Sequence, residues 1–169
     1  NKDLYFDETN TRMVMNYRNN YSRLAESLFV KGDTARAISV VNKCLYEFPR
    51  DVVNLSYFAI PLIDLYYKGN EDGKGDELLA LMIDDYLVEY NYLSEFKKGS
   101  GLKQNFNICG QVLASLTRIL QVHQPNDDSY SYFKEDDKFY KSKNENTKEE
   151  INYSSYRINT FLDEYYTLQ

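Results

Sequence analysis

The chain has 169 residues, with 26 acids against 20 bases, two cysteines, one histidine and no tryptophan. That length suits one domain able to bury about 70% of the surface an unfolded chain exposes, and a net charge of −6 excludes the basic stripe that nucleic acid requires. Two cysteines are too few for a disulfide scaffold or a cysteine zinc site, and the longest aliphatic run, Leu78 to Ile83, falls far short of the ~18 apolar residues of a membrane span, so the sequence predicts a soluble chain.

The first residues, Asn1 to Glu8, lack the basic-then-apolar form of a signal peptide and read as the beginning of an excised domain. From there to residue 125 apolar side chains recur at helical spacing. Tyr17, Tyr21, Leu24 and Leu28 predict a helix over 12–31. Gly32 suits the left-handed residue that ends it, and Asp33 suits the cap of the next. Ala37, Val41, Cys44 and Phe48 predict a second helix over 34–48, closed by Pro49. Asp51 is a cap for a third over 54–68, within which Pro61 demands either a start or a kink. The run Gly69 to Gly75 reads as flexible, and Asp76 as the cap of a fourth helix over 76–97 bearing Leu79, Met82, Ile83, Tyr86, Tyr90 and Leu93. Gly99-Ser100-Gly101 separates it from a fifth over 101–123, whose stripe Leu102, Phe106, Cys109, Leu113, Leu116, Leu120 and His123 steps by four and three.

Residues 126–150 contain no Ala, Val, Ile, Leu or Met, so a helix there has little to bury. They predict a long polar loop pinned by Tyr130, Tyr132, Phe133, Phe139 and Tyr140. Thr147 with Glu150 forms a capping box for a last helix over 148–167. No long stretch alternates with period two, so the expected fold class is all-α: a single domain of five to six helices in antiparallel hairpins.

Short helices joined by tight turns invite a search for repeats. Over residues 18–51, Tyr21, Leu24, Ala25 and Leu28, then Gly32-Asp33, Ala37 and Pro49, fit the ~34-residue tetratricopeptide pattern. Small residues at the crossing let the two helices approach to ~8–10 Å. A weaker copy spans 56–89, with Tyr66, Tyr67 and Asn70 in place of the consensus aromatic and turn glycine, and with Ile63 and Met82 where small residues are expected. This predicts a tetratricopeptide-like right-handed stack.

The wider string Tyr5-Phe6-Asp7-Glu8-Thr9-Asn10, Arg12-Met13, Asn16-Tyr17-Arg18-Asn19 and Arg23-Leu24-Ala25 is followed by Tyr57 to Leu62 and Tyr66-Tyr67-Lys68. It resembles the C-terminal tail domain of large multi-spanning bacterial membrane proteins related to protein O-mannosyltransferases, a domain-of-unknown-function family. The resemblance covers most of residues 4–123 and the last helix, with 126–150 as an insertion. It implies an extracytoplasmic position beside the membrane. It also implies that any glycosyltransferase chemistry, dependent on a polyprenyl-phosphate sugar, belongs to the membrane part of the parent.

Individual residues offer little chemistry. His123 ends an apolar stripe and reads as structural, since one histidine without cysteines builds no zinc site. Cys44 and Cys109 read as buried thiols, with a disulfide left open if the helices bring them together in an oxidising compartment. Asp84 and Asp85 point about 100° apart on a helix, and Asp136-Asp137 falls in the polar loop, so both pairs read as solvated surface. Asp33-Thr34-Ala35 has the form of a bacterial O-glycosylation acceptor, and Asn54-Leu55-Ser56 and Asn152-Tyr153-Ser154 are sequons, motifs short enough to arise by chance. No catalytic, metal or cofactor residue is expected.

In tetratricopeptide hairpins the first helix of each pair lines a concave face. Here that face offers Asn19, Ser22, Glu26, Phe29 and Val30, then Tyr57, Ile60, Asp64, Tyr67 and Lys68. Glu26, Phe29, Tyr57, Asp64 and Tyr67 are the candidate binding residues, either as an aromatic groove with acidic points or as packing against the fifth and sixth helices. Ser22 and Glu26 stand where some such domains place lysine and asparagine to clamp a terminal carboxylate, so that activity is not implied. The expected function is a non-catalytic, extracytoplasmic protein-interaction or positioning domain of a glycosyltransferase-like membrane protein, its partner a protein or peptide, the membrane part of its own parent included. The alternative is a free-standing cytosolic tetratricopeptide scaffold.

Overall fold

The computed structural model describes residues 7–96, 101–123, 131–142 and 148–167. In chain order they form α1 (Glu8–Val30), α2 (Thr34–Glu47), a 3₁₀ turn (Tyr57–Ala59), α3 (Ile60–Lys68), α4 (Asp72–Glu95), α5 (Lys103–His123), β1 (Ser131–Glu135), β2 (Lys138–Ser142), β3 (Glu149–Ile151) and α6 (Tyr153–Thr167). The fold is all-α in class, with one small sheet added. The chain divides into two compact units, Asn1–Gly75 and Asp76–Gln169.

In the first unit Asp7 caps α1 by accepting the Asn10 amide at 2.7 Å, so the helix starts a turn earlier than its apolar pattern indicates. Its end is a left-handed turn. Gly32 takes φ +80°, the Asp33 amide donates to Leu28 O and the Gly32 amide to Phe29 O, each at 2.9 Å, so the last free carbonyls of α1 are satisfied. Asp33 then turns capping residue, accepting from the Arg36 amide at the start of α2. Residues 18–51 thus form a helical hairpin as the repeat pattern predicts, with Ala25, Ala37, Val41 and Cys44 fully buried. α1 also packs on the 3₁₀ turn and α3, and α2 on α3.

The same turn recurs after α3. Asn70 takes φ +59°, the Glu71 amide donates to Tyr66 O at 2.9 Å and the Asn70 amide to Tyr67 O at 3.0 Å. Asparagine substitutes for glycine here because its short polar side chain tolerates the left-handed region. This corrects the expectation of a flexible run over Gly69 to Gly75: α4 begins at Asp72, not at a cap on Asp76. With the two turns aligned 38 residues apart, Gly75 is the counterpart of Ala37. A Cβ on Gly75 would stand 3.0 Å from Tyr67 Cε1, so this glycine is the small residue that lets the first turn of α4 close on α3. The third helix is likewise shorter than predicted, with Pro61 in its first turn, where its fixed φ suits the start of a helix and no N–H is missed.

The second unit differs most from expectation. Within 126–150, the polar loop is replaced by an antiparallel sheet of order β1-β2-β3. Asp136 and Asp137, at φ +48° and +59°, form the two-residue turn that sets Glu135 opposite Lys138, the twist that a tight hairpin needs. Phe139 supplies the apolar anchor that aliphatic residues do not: its ring lies 5.1 Å from Tyr153 and 4.7 Å from Tyr156 of α6. Lys138 pairs with Glu150 at 2.9 Å and Lys141 with Glu149 at 3.2 Å across β2 and β3, solvent-screened pairs that add little to stability. Glu150 therefore belongs to a strand and not to a capping box. α6 begins at Tyr153, capped by Asn152, which accepts the Ser155 amide at 2.8 Å. Gly99, Ser100, Pro125, Tyr130 and Thr147 lie outside the described residues.

Ala37→Leu and Gly75→Leu should each overpack a helix crossing at a cost of ~1–3 kcal/mol, lowering the melting temperature by several degrees. A scanning calorimetry trace unchanged by either substitution would place the crossings elsewhere.

Candidate functional site

Of the five candidate residues, Glu26 and Phe29 lie on α1, Tyr57 on the 3₁₀ turn, and Asp64 and Tyr67 on α3. Glu26 is exposed, Phe29 half-buried and Tyr57 53% exposed, its ring 4.1 Å from that of Phe58. Asp64 is half-buried and paired with Lys68 one turn on, which cancels the acidic point expected of it. Tyr67 is only 7% exposed. Its ring is packed over Gly75, so it belongs to the core of the first unit and not to a binding face. Glu26, Phe29 and Tyr57 remain available, on two elements that pack against each other.

The interior of this unit holds a group that apolar periodicity passes over. Arg18 lies on the buried stripe of α1 with Val14, Ser22 and Ala25 and is 0% exposed. Its Nη1 donates to Asn54 O at 2.7 Å, and its Nη2 donates to Phe48 O at 2.9 Å and Val53 O at 2.6 Å. Phe48 is the C-cap of α2, where unsatisfied carbonyls concentrate the negative end of the helix dipole. The fork geometry of guanidinium suits several fixed acceptors, and it stays charged in a protein interior. Burial lowers the Arg18 pKa from its ordinary value, and the nearby Cys44 thiol opposes that shift. The Nε of Arg18 and the Oγ of Ser56 are buried without a hydrogen-bond partner. The Phe48 ring stacks on Tyr17 at 5.5 Å and meets Tyr21 edge-on at 6.0 Å. An arginine at the i+4 position from a buried valine, in line with Ser22 and Ala25, was the available signal.

Asp84, read from sequence as a solvated carboxylate, is instead half-buried in the second unit. It accepts Arg157 Nε at 2.6 Å and the Tyr153 hydroxyl, tying α4 to the start of α6. Asp136 and Asp137 form the hairpin turn, and Asp33 and Asn152 are helix caps. His123 is half-buried at the last turn of α5. Cys44 and Cys109 are both free and buried. Burial pushes the Cys44 thiol up to about 11, against a small opposing effect of Arg18. Burial, and then Glu89, push Cys109 up to about 12. A thiol held protonated is a poor nucleophile. Among the described residues no three of His, Cys, Asp and Glu converge as metal ligands, and no helix is long and apolar enough to cross a membrane.

Removing the Arg18 side chain strands three carbonyls that it now satisfies, so Arg18→Met should cost ~3 kcal/mol or more in urea unfolding. Arg18→Lys should recover only part of that, because an ammonium is a compact point donor where the fork serves spread acceptors. Equal stability of wild type and Arg18→Met would refute the role. The thiols give a pH prediction of definite sign. Their pKa values are raised in the fold, so the stability they confer is complete below the ordinary thiol range and is lost as pH rises toward 11. Iodoacetamide at pH 8 should modify neither cysteine in the native protein and both in urea, as read by mass spectrometry. In comparison with known proteins, the chain matches no family model, no curated protein and no solved structure.

Proposed function

We propose that this chain is a non-catalytic helical-repeat domain that engages a protein or peptide partner. The observation that carries the reading is the recurrence of one turn. A left-handed turn at Gly32 and again at Asn70 is followed at equal distance by Ala37, fully buried, and by Gly75, packed under the Tyr67 ring. Repeats of this tetratricopeptide-like kind expose the first helix of each pair and use that surface for contact. The accessible part of the surface is the α1 edge with Glu26 and Phe29, beside Tyr57 of the 3₁₀ turn. Half-exposed aromatics supply the desolvated anchors that dominate contact energies, and Glu26 favours neutral or basic partners mainly through encounter rate and selectivity.

The cellular setting in this proposal rests on the family resemblance of the sequence. The domain then sits on the extracytoplasmic side of a glycosyltransferase-like integral membrane protein, and the chemistry belongs to the membrane part.

Chemical cross-linking of the intact parent protein in its membrane, with and without Phe29→Ala and Tyr57→Ala together, tests the reading. At least one cross-linked partner or intramolecular contact should be lost in the double variant while the melting temperature of the domain changes little. Recovery of every cross-link at wild-type yield would show that this edge is not the working surface.

A further inference from the structure

The 3₁₀ turn that carries Tyr57 has no side-chain cap of its own. Neither Ser56 at its start nor Ala59 at the start of α3 makes a side-chain capping hydrogen bond, and the Ser56 hydroxyl is buried without a partner. A 3₁₀ turn of three residues is held by few bonds of poor geometry. The segment leading into it is held instead by a residue of α1. Arg18 donates from Nη1 to Asn54 O at 2.7 Å and from Nη2 to Val53 O at 2.6 Å, three and four residues before Tyr57. The same helix carries Glu26 and Phe29, with Glu26 about two turns beyond Arg18. The Phe58 ring lies 4.1 Å from that of Tyr57, so both aromatics belong to the turn that this segment places.

We infer that Arg18 is the positioning residue of the Glu26, Phe29 and Tyr57 edge, and that its guanidinium sets where Tyr57 stands relative to α1. The inference rests on the proposal that this edge is the contact surface, and it names what controls the geometry of that surface. A partner that meets α1 and the 3₁₀ turn together gains affinity when their separation is fixed in advance, because ordering on contact is costly. The guanidinium fork suits this task, since it reaches separate carbonyls from separate nitrogens, whereas an ammonium donates from one point.

Spin labels on the full chain test it, placed at Glu26→Cys with Tyr57→Cys and, as a control on the α1–α2 hairpin, at Glu26→Cys with Tyr46→Cys. Glu26, Tyr46 and Tyr57 are exposed, while the native Cys44 and Cys109 are buried. By electron paramagnetic resonance, Arg18→Lys should shift and broaden the 26–57 distance and leave the 26–46 distance as in wild type. Ser56→Ala, which removes a hydroxyl that makes no hydrogen bond, should change neither distance. The inference is overturned if Arg18→Lys leaves the 26–57 distance unchanged, or if both distances broaden alike, since Arg18 then only stabilises the fold. It is also overturned if Ser56→Ala moves the 26–57 distance as far as Arg18→Lys does. In the intact parent protein, Arg18→Lys should lose the cross-links that Phe29→Ala with Tyr57→Ala removes. If that double variant removes none, the contact reading itself fails; if it removes some that Arg18→Lys retains in full, the positioning role fails.

Discussion

A single guanidinium holds the first unit together. Arg18 rises from the middle of α1 into the space where α2 has ended and α3 has not begun, and it accepts that position because Phe48, Val53 and Asn54 turn their carbonyls toward it. The segment between α2 and the 3₁₀ turn contains no long helix or strand to satisfy its own backbone. Without a donor from α1, those carbonyls would need water in a place that Val53 and Leu55, both buried, keep dry. The buried charge is tolerable because three acceptors at hydrogen-bond distance replace its hydration. The consequence is geometric: α1 is fastened both to its own hairpin partner and to the connection that introduces the next hairpin.

Small residues do the rest. Ala25 and Ala37 let α1 and α2 meet closely, and Gly75 leaves room for the Tyr67 ring where α4 starts against α3. Gly69 belongs to the same group, since a Cβ there would meet Ile38 of α2. Ile63 and Met82, large where the repeat pattern expects small residues, are both fully buried.

The helices up to residue 123 were legible because amphipathic periodicity and caps are local signals. Gly32-Asp33 specified its turn outright. The second turn was misjudged for a physical reason: Gly69 to Gly75 is glycine-rich, which reads as flexibility, yet two of its glycines are there for close packing. The sheet was hidden because its apolar anchor is one phenylalanine answered by two tyrosines from α6, a long-range contact that no window of sequence contains. Its Asp136-Asp137 turn also lacks the glycine that usually marks such hairpins. Of the candidate surface, Glu26, Phe29 and Tyr57 were legible as exposed or partly exposed. Tyr67 was not, because its burial depends on Gly75, and Arg18 was missed because a charged residue on an apolar stripe looks like an interruption.

Among the described residues Asp7 and Asp33 cap helices, Asp84 latches α6, both thiols are held protonated and the buried Arg18 binds backbone carbonyls. The first unit offers Glu26, Phe29 and Tyr57 outward, the surface on which the proposed contact rests. The arrangement of the first unit depends on α1 being fixed by Arg18, and native-state hydrogen exchange of the full chain carrying Arg18→Met measures that dependence directly. Protection should fall together across α1, α2 and α3, since one donor joins them. Loss confined to residues 48–56, with the three helices as protected as in wild type, would contradict the account.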